Sequence, residues 1–337
     1  MAAPGDIGTY GYGLGTGTGA NREDLLDLIA NIDPFDTPWV SQAPKVRAEA
    51  ITHQWLTDTL AATATAGAVE GDDWSFNTAT TRPTRLNNVT QIFRKDISVS
   101  ESQRAVNSAG FRDAYSYEVS KAVKEIARNI ESRVFSASGT TTTGATDTAR
   151  VMKNFQAFLT ATATSGKITL GGAATSTAFA SAITVGVFND ALENAYLNGG
   201  NPEQCYVSPR IKRQISLFTA TSQNRNIAAV EKKLVAAMDL YESDFGLIQI
   251  VLDRWVPQAT NTGTATASAS DTKGNMFFLE RAKNRLAWLR PVQHTLVGKR
   301  GDSVAGLIVG EVTLELLNPA ASFRVSGVNN RSTSLGD

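Results

Sequence analysis

The sequence is poor in the residues that carry most catalysis and metal chemistry. It has one cysteine, Cys205, and two histidines, His53 and His294. A single thiol closes no intrachain disulfide, so the fold does not depend on an oxidising compartment. No apolar run approaches the roughly 18 residues of a helical membrane span. An excess of charge is lacking too, since 32 Lys plus Arg balance 32 Asp plus Glu. A free-standing nucleic-acid binder draws affinity from a basic excess, and this chain has none. A neutral surface does little to oppose self-association. The N-terminal residues lack the charged-then-apolar pattern of a secretory signal, which sets the expectation of a chain made in a cytoplasm.

The chemical motifs are thin. His53 and His294 lie in strand-like stretches with no Cys, Asp or Glu at ligand spacing, and read as surface or half-buried side chains. Nothing around Cys205 would activate a thiolate, so a small buried residue is expected there. Gly301-Asp302-Ser303 misses the G-x-S-x-G spacing of a nucleophile elbow and reads as a turn between strands. Gly11, Gly13, Gly15, Gly17 and Gly19 follow no strand and do not fit a dinucleotide fingerprint. Glu70, Asp72 and Asp73 are too few, and wrongly spaced, for a calcium loop. The Asn88-Val89-Thr90 sequon is discounted because nothing suggests secretion. The expectation is no catalytic residue, no cofactor and no metal.

What is present is a pattern of elements. The apolar fraction of 42% over 337 residues is enough to bury a sizeable core. A Gly-rich stretch opens the chain. A short helix is expected from Asn21, with Leu25, Leu28, Ile29 and Ile32 as its stripe and Pro34 and Pro38 at its end. Residues 49–99 alternate as one long hairpin, with Ile51, His53 and Trp55 on one strand and Val89, Phe93, Ile97 and Val99 on the other. Its strands are joined by residues 59–85, rich in Ala, Thr and Gly. A connection this long without a core of its own is uncommon in a compact domain.

The strongest helix is expected over residues 113–137. Tyr115, Val119, Val123, Ile126, Ile130 and Val134 form one face, and Lys121, Lys124, Glu125, Arg128 and Glu131 lie on others. A Thr/Ser/Gly tract, residues 138–148, follows. A short amphipathic segment carries Val151, Phe155, Phe158 and Leu159. A helix carrying Val185, Phe188, Leu192 and Tyr196 is closed by Gly199 and Gly200. Residues 205–207 read as a strand, and Pro209 opens the next helix, residues 210–218. The last third reads as strands at 234–241, 247–252, 276–279, 285–289 and 308–316, with another loop-like tract at 259–272. The fold class is α+β.

This order of elements resembles the tailed-phage capsid fold, the Hong Kong 97 fold. Local sequence is similar to the phage major head protein family over residues 20–320. The resemblance is carried by Arg22-Glu23-Asp24-Leu25 through Asn31-Ile32-Asp33-Pro34-Phe35-Asp36-Thr37-Pro38-Trp39, and by Glu70-Gly71. It continues in Asn87-Asn88-Val89-Thr90-Gln91-Ile92, Tyr241-Glu242-Ser243-Asp244-Phe245-Gly246 and Ala287-Trp288-Leu289-Arg290-Pro291.

The resemblance implies an N-terminal arm (1–48), an extended loop (49–98), a peripheral domain (99–182) with spine helix 113–137, and an axial domain (183–274). Residues 275–337 would return as strands to the peripheral domain. It implies a virion subunit that self-assembles as hexamers and pentamers of an icosahedral head, in the host cytoplasm. Portal protein, scaffolding and decoration proteins and non-specifically held double-stranded DNA are the implied partners, with no membrane. Some capsids of this fold cross-link a loop lysine to a neighbour's asparagine, but residues 49–94 contain no lysine, and Lys95 lies at the loop base. Glu70, Asp72, Asp73, Arg82 and Arg85 are the candidate intersubunit contacts. The acids either fold back onto the loop's own arginines or face a basic group on the next subunit. The Thr/Ala/Ser tracts keep a second reading open, a β-rich surface or adhesin-like protein.

Overall fold

The computed structural model describes residues 33–60, 70–71, 73, 82–106, 110, 112–159, 167–169, 183–216, 239–257, 274–299 and 301–328. The helix expected from Asn21 lies outside them. The chain begins its described course with α1 (Pro38–Gln42), β1 (Lys45–Arg47), β2 (Thr52–Thr57), β3 (Thr84–Val89) and β4 (Gln91–Ser100). Then come α2 (Glu101–Ala105), α3 (Ala114–Val134), α4 (Phe155–Phe158), β5 (Lys167–Thr169) and α5 (Val185–Leu197). The rest is β6 (Gln204–Val207), α6 (Pro209–Ser216), β7 (Leu240–Ser243), β8 (Gly246–Leu252), β9 (Gly274–Leu279), β10 (Asn284–Val297), β11 (Ser303–Leu316) and β12 (Phe323–Val328).

These strands form three sheets, ordered β1-β10-β11-β4, β5-β12-β9-β6-β8-β7 and β2-β3. The first is floored by α3. Asp113 caps that helix by accepting from the Tyr115 and Ser116 amides, which satisfies two donors of its first turn. Its buried stripe is Ala114, Ala122, Ile126, Ile130 and Val134. These pack against Phe93, Ile97, Ile308, Val312 and Leu314 of β4 and β11. Phe135 ends α3 and joins the two larger sheets, packing on Trp39, Phe155, Tyr206 and Phe277 with ring centroids 5.4–6.2 Å apart. In the second sheet, Phe188, Leu192, Ile211 and Ile215 of α5 and α6 cover Cys205, Val207, Ile250 and Phe278. Gly199 takes φ +74° to end α5, and Gly200 lies directly on the Ala321 backbone, where a Cβ would collide.

Several expectations are corrected. The predicted hairpin splits at Thr90: β3 pairs with β2, whereas β4 pairs with β11. Asn88, Val89 and Thr90 are all buried, so strand alternation breaks there and the chain changes sheets. Residues 38–48 are not an arm. Pro38 opens α1 rather than ending a helix, Trp39 is 3% exposed, and β1 pairs in parallel with β10. The long helix stops at Val134, Val123 points outward, and Glu131 is buried. Residues 275–337 are divided: β10 and β11 join the α3 sheet, while β9 and β12 flank β6 in the other. Strand 285–289 is the start of the longer β10, and the strand expected at 234–241 begins at Leu240, residues 217–238 lying outside the described set.

Candidate functional site: the hairpin root and the α1 latch

The hairpin β2–β3 stands on β11. Along β11, Val312, Leu314 and Leu316 face the α3 core, so period-two geometry turns Glu311, Thr313 and Glu315 to the opposite face. A sequence reading gives that face to solvent. Here it is buried under the hairpin root, with Glu311 at 2% and Glu315 at 5% exposure. Each polar group meets a partner, as burial requires. Glu311 accepts from Thr90 Oγ1 at 2.6 Å, Arg150 Nη2 at 2.8 Å and Arg290 Nε at 2.9 Å. Thr313 Oγ1 donates to the Val89 carbonyl at 2.9 Å. His53 Nε2 lies 3.1 Å from Glu315 Oε2, and Trp55 Nε1 donates to the Leu316 carbonyl at 2.8 Å. Asn88 Nδ2 donates to the Leu314 carbonyl at 2.7 Å, and its Oδ1 accepts from the Lys153 amide at 2.7 Å. Lys95 Nζ, below the root, pairs with Glu125 of α3 at 2.6 Å.

The far end of the hairpin is different. Leu56 is 65% and Leu60 98% exposed. Glu70 and Asp73 are exposed, as are Arg82 and Arg85; Asp72 lies outside the described residues. Arg85 Nη1 donates along the hairpin to Gln54 Oε1 at 3.3 Å. No ion pair among the described residues joins Glu70 or Asp73 to Arg82 or Arg85. The four described candidates, Glu70, Asp73, Arg82 and Arg85, are therefore not joined by ion pairs within one chain.

A second polar centre was missed by sequence reading. Glu131, on the buried side of α3, accepts from the Trp39 amide at 2.8 Å (Oε1) and the Val40 amide at 2.7 Å (Oε2). Asp253, just after β8, accepts from the Trp255 amide at 2.8 Å through Oδ1, while its buried Oδ2 has no donor. The two carboxyl groups are neighbours, close enough to act on each other's ionisation. Burial first, then the nearby Asp253 charge, raises Glu131 to about 8, and burial raises Asp253 to about 6. Burial also pushes up the Tyr206 hydroxyl beside them and the Cys205 thiol.

Among the described residues no group of three or more His, Cys, Asp or Glu is placed to hold a metal, and no helix is long and apolar enough to cross a membrane. His294 stacks with Tyr115 over Gly306, its Nε2 2.7 Å from the Tyr115 hydroxyl. Gly301, φ +75°, turns β10 into β11.

Known proteins give a consistent frame. The capsid of cyanophage A-1(L) aligns with TM-score 0.64 at 14% identity, covering 91% of this chain and 97% of that one. The capsid of a native GTA particle aligns with TM-score 0.61 at 12% identity, covering 92% and 96%. The holo-SrpI encapsulin complex from Synechococcus elongatus PCC 7942 aligns with TM-score 0.55 at 9% identity, covering 94% and 96%. At these identities the likeness is one of fold. No curated protein matches the sequence. The model of the SU10 major capsid protein family matches residues 12–329. With that match over nearly the whole chain, on a fold shared with phage capsids, this chain belongs to the SU10 major capsid protein family and is a structural protein of a phage head shell.

Proposed function

We propose that the chain tiles an icosahedral head as hexamers and pentamers around double-stranded DNA, and that the β2–β3 hairpin is the element that reaches the neighbouring subunit. One observation carries this reading. The hairpin is firmly founded at its root, and beyond it the described apolar side chains Leu56 and Leu60 are bare. A two-stranded ribbon is marginal in water alone, and exposed apolar side chains on such a ribbon call for a partner surface. In a self-assembling family that partner is another copy.

In this reading residues 1–37 act as an arm, α3 as the spine of the peripheral domain, and the sheet around β6 as the axial domain. Assembly takes place in the host cytoplasm. A portal protein, a scaffolding or decoration protein and the packaged DNA are the further partners. The tip acids Glu70, Asp72 and Asp73 face a basic group on the adjacent copy, with Arg82 and Arg85 on the returning side. Covalent cross-linking from the loop tip plays no part, because residues 49–94 carry no lysine and Lys95 is engaged by Glu125.

Electron microscopy of the purified chain tests the reading, with closed shells expected. Reversing Glu70, Asp72 and Asp73 to lysine should leave subunit melting unchanged and raise the protein concentration needed for shells. A single exposed pair contributes only about 0.2–1 kcal/mol and is screened by salt, but the contact repeats at every copy. Assembly of the triple variant at the wild-type threshold, at low and moderate salt, would remove the tip acids from the interface.

A further inference from the structure

Four carboxyl oxygens meet where α1, the end of α3 and the end of β8 converge, and three of them already accept backbone N–H bonds. Trp39 and Val40 serve the two oxygens of Glu131, and Trp255 serves Asp253 Oδ1. Asp253 Oδ2 is the exception, buried and without a donor. The Asp253 carboxyl neighbours Glu131, which is itself buried. Two ionised carboxylates cannot share such a site at low dielectric, and an acceptor facing an acceptor needs a hydrogen between them. Neither acid makes an ion pair among the described residues. The neighbouring titratable groups are Tyr206 on β6, whose hydroxyl donates to Gln204, and Arg281 after β9, whose Nε donates to the Gln42 carbonyl. At the rim Asp36 pairs with Arg254 at 3.6 Å, and Arg128 stacks over Trp255.

We propose that Glu131 and Asp253 share one proton, carried on Asp253 Oδ2, and that this proton is a latch holding the segment 36–42 against α3 and the β8 end. Elsewhere the segment is tied by Trp39, which packs on Phe135 and Phe155, and by Gln42, which accepts from Arg281 and Gln204. Trp255 Nε1 donates to the Asp36 carbonyl at 3.0 Å, and the Trp255 amide depends on Asp253. Loss of the proton places two like charges in the junction and pushes apart both of its acids, and the α1 amides and Trp255 move with them. The latch belongs to the folded subunit and is independent of the shell reading.

Both acids are raised in the folded chain, so the latch is complete below their ordinary values near pH 4 and is lost as pH rises through about 6 to about 8. The pair titrates as a unit: taken singly the higher value falls on Glu131, but both Glu131 oxygens already accept backbone N–H bonds, which leaves the shared proton to Asp253 Oδ2, and it leaves near the upper value. Below that value and above the ordinary carboxyl range, each pH unit weakens the folding equilibrium tenfold per proton that only the folded chain retains, or about 2 °C in melting temperature for a chain of this length; above about 8 both states are ionised and the fall stops.

The test is the melting temperature of the full chain from pH 5 to pH 10, with D253N and E131Q beside the wild type. In D253N the amide N–H replaces the proton and its oxygen still accepts from Trp255. That variant should match the wild type near pH 6 and lose the fall above it, standing about 4 °C above it from pH 8 to pH 10. In E131Q an amide NH₂ must face a backbone N–H of α1, so this variant should melt lower at every pH or fail to fold. Hydrogen exchange at the Trp39 and Val40 amides at pH 9 should be faster in the wild type than in D253N, which a merely global effect would not produce. An alkaline fall in D253N equal to that of the wild type, or a D253N chain that does not fold at pH 6, overturns the proposal. So does an E131Q chain as stable as the wild type, which would put the proton on Glu131.

Discussion

Replacing Glu311 by alanine removes the anchor of the hairpin root and tests whether that root is held by charge. The carboxylate is 3% exposed, and its partners differ in how much water they see: the Arg150 side chain is 19% exposed and that of Arg290 is 55%. Breaking a buried pair costs about 3–5 kcal/mol because the remaining charge is stranded. Arg150 keeps some contact with water, which places the loss at or just below the lower end, about 2–3 kcal/mol. Arg290 is half in water and adds about 0–1 kcal/mol. Thr90 loses one hydrogen bond, about 1 kcal/mol. The sum is about 3–5 kcal/mol. For 337 residues, the unfolding entropy is about 0.7 kcal/mol per kelvin, so the melting temperature should fall by about 4–7 °C. Glu311→Gln keeps an acceptor for Thr90 and should lose about half as much. Differential scanning fluorimetry reads both variants, and limited proteolysis reads whether cleavage moves to the β2–β3 root. A Glu311→Ala chain melting within about 1 °C of the wild type would mean that apolar packing alone holds the root.

Ile126→Ala opens a void between α3 and β4, where Ile126 is 1% exposed; it should cost about 2–5 kcal/mol and show first as a lower melting temperature and soluble yield. Gly200→Ala sets a methyl group against the Ala321 carbonyl, carbon and Cα. Backbone has to move, and the loss should be about 1–3 kcal/mol, measured by chemical denaturation, with Gly199→Ala near 1 kcal/mol for its positive φ alone.

How far the sequence reaches depends on what each segment packs against. The α3 helix is legible because Ile126, Ile130 and Val134 recur at helical spacing and all are buried. Val123 fits the same spacing yet is 45% exposed, and Ala122 takes its place in the core. Glu131 reads as a solvent-facing charge because periodicity carries no information about α1, ninety residues earlier in the chain. The β11 alternation is legible as a strand but not as a buried one, since the hairpin that covers Glu311, Thr313 and Glu315 arrives from residues 53–90. The split at Thr90 has a local signal after all, the run Asn88-Val89-Thr90, where polar residues interrupt a strand without any Gly or Pro. The tract 138–148 carries no pattern, and its order comes from outside it. Arg133 donates to the Thr140 and Met152 carbonyls, and Asn154 to those of Ser136 and Ser138.

The break at Thr90 has a mechanical consequence. Strand β3 runs through that residue straight into β4, with no flexible linker between the hairpin and the sheet that α3 supports. The hairpin is thus a lever rather than a tether. Six paired residues give it a length of about 20 Å, and its inner part, carrying His53, Trp55, Asn88 and Val89, is seated on β11 from Thr313 to Leu316. A sideways load at the outer end is felt at that seat. It lands on Thr90, Arg150 and His53, and through β4 on the Lys95–Glu125 pair at the flank of α3. A push on the outer end of one copy therefore becomes a torque on its long helix.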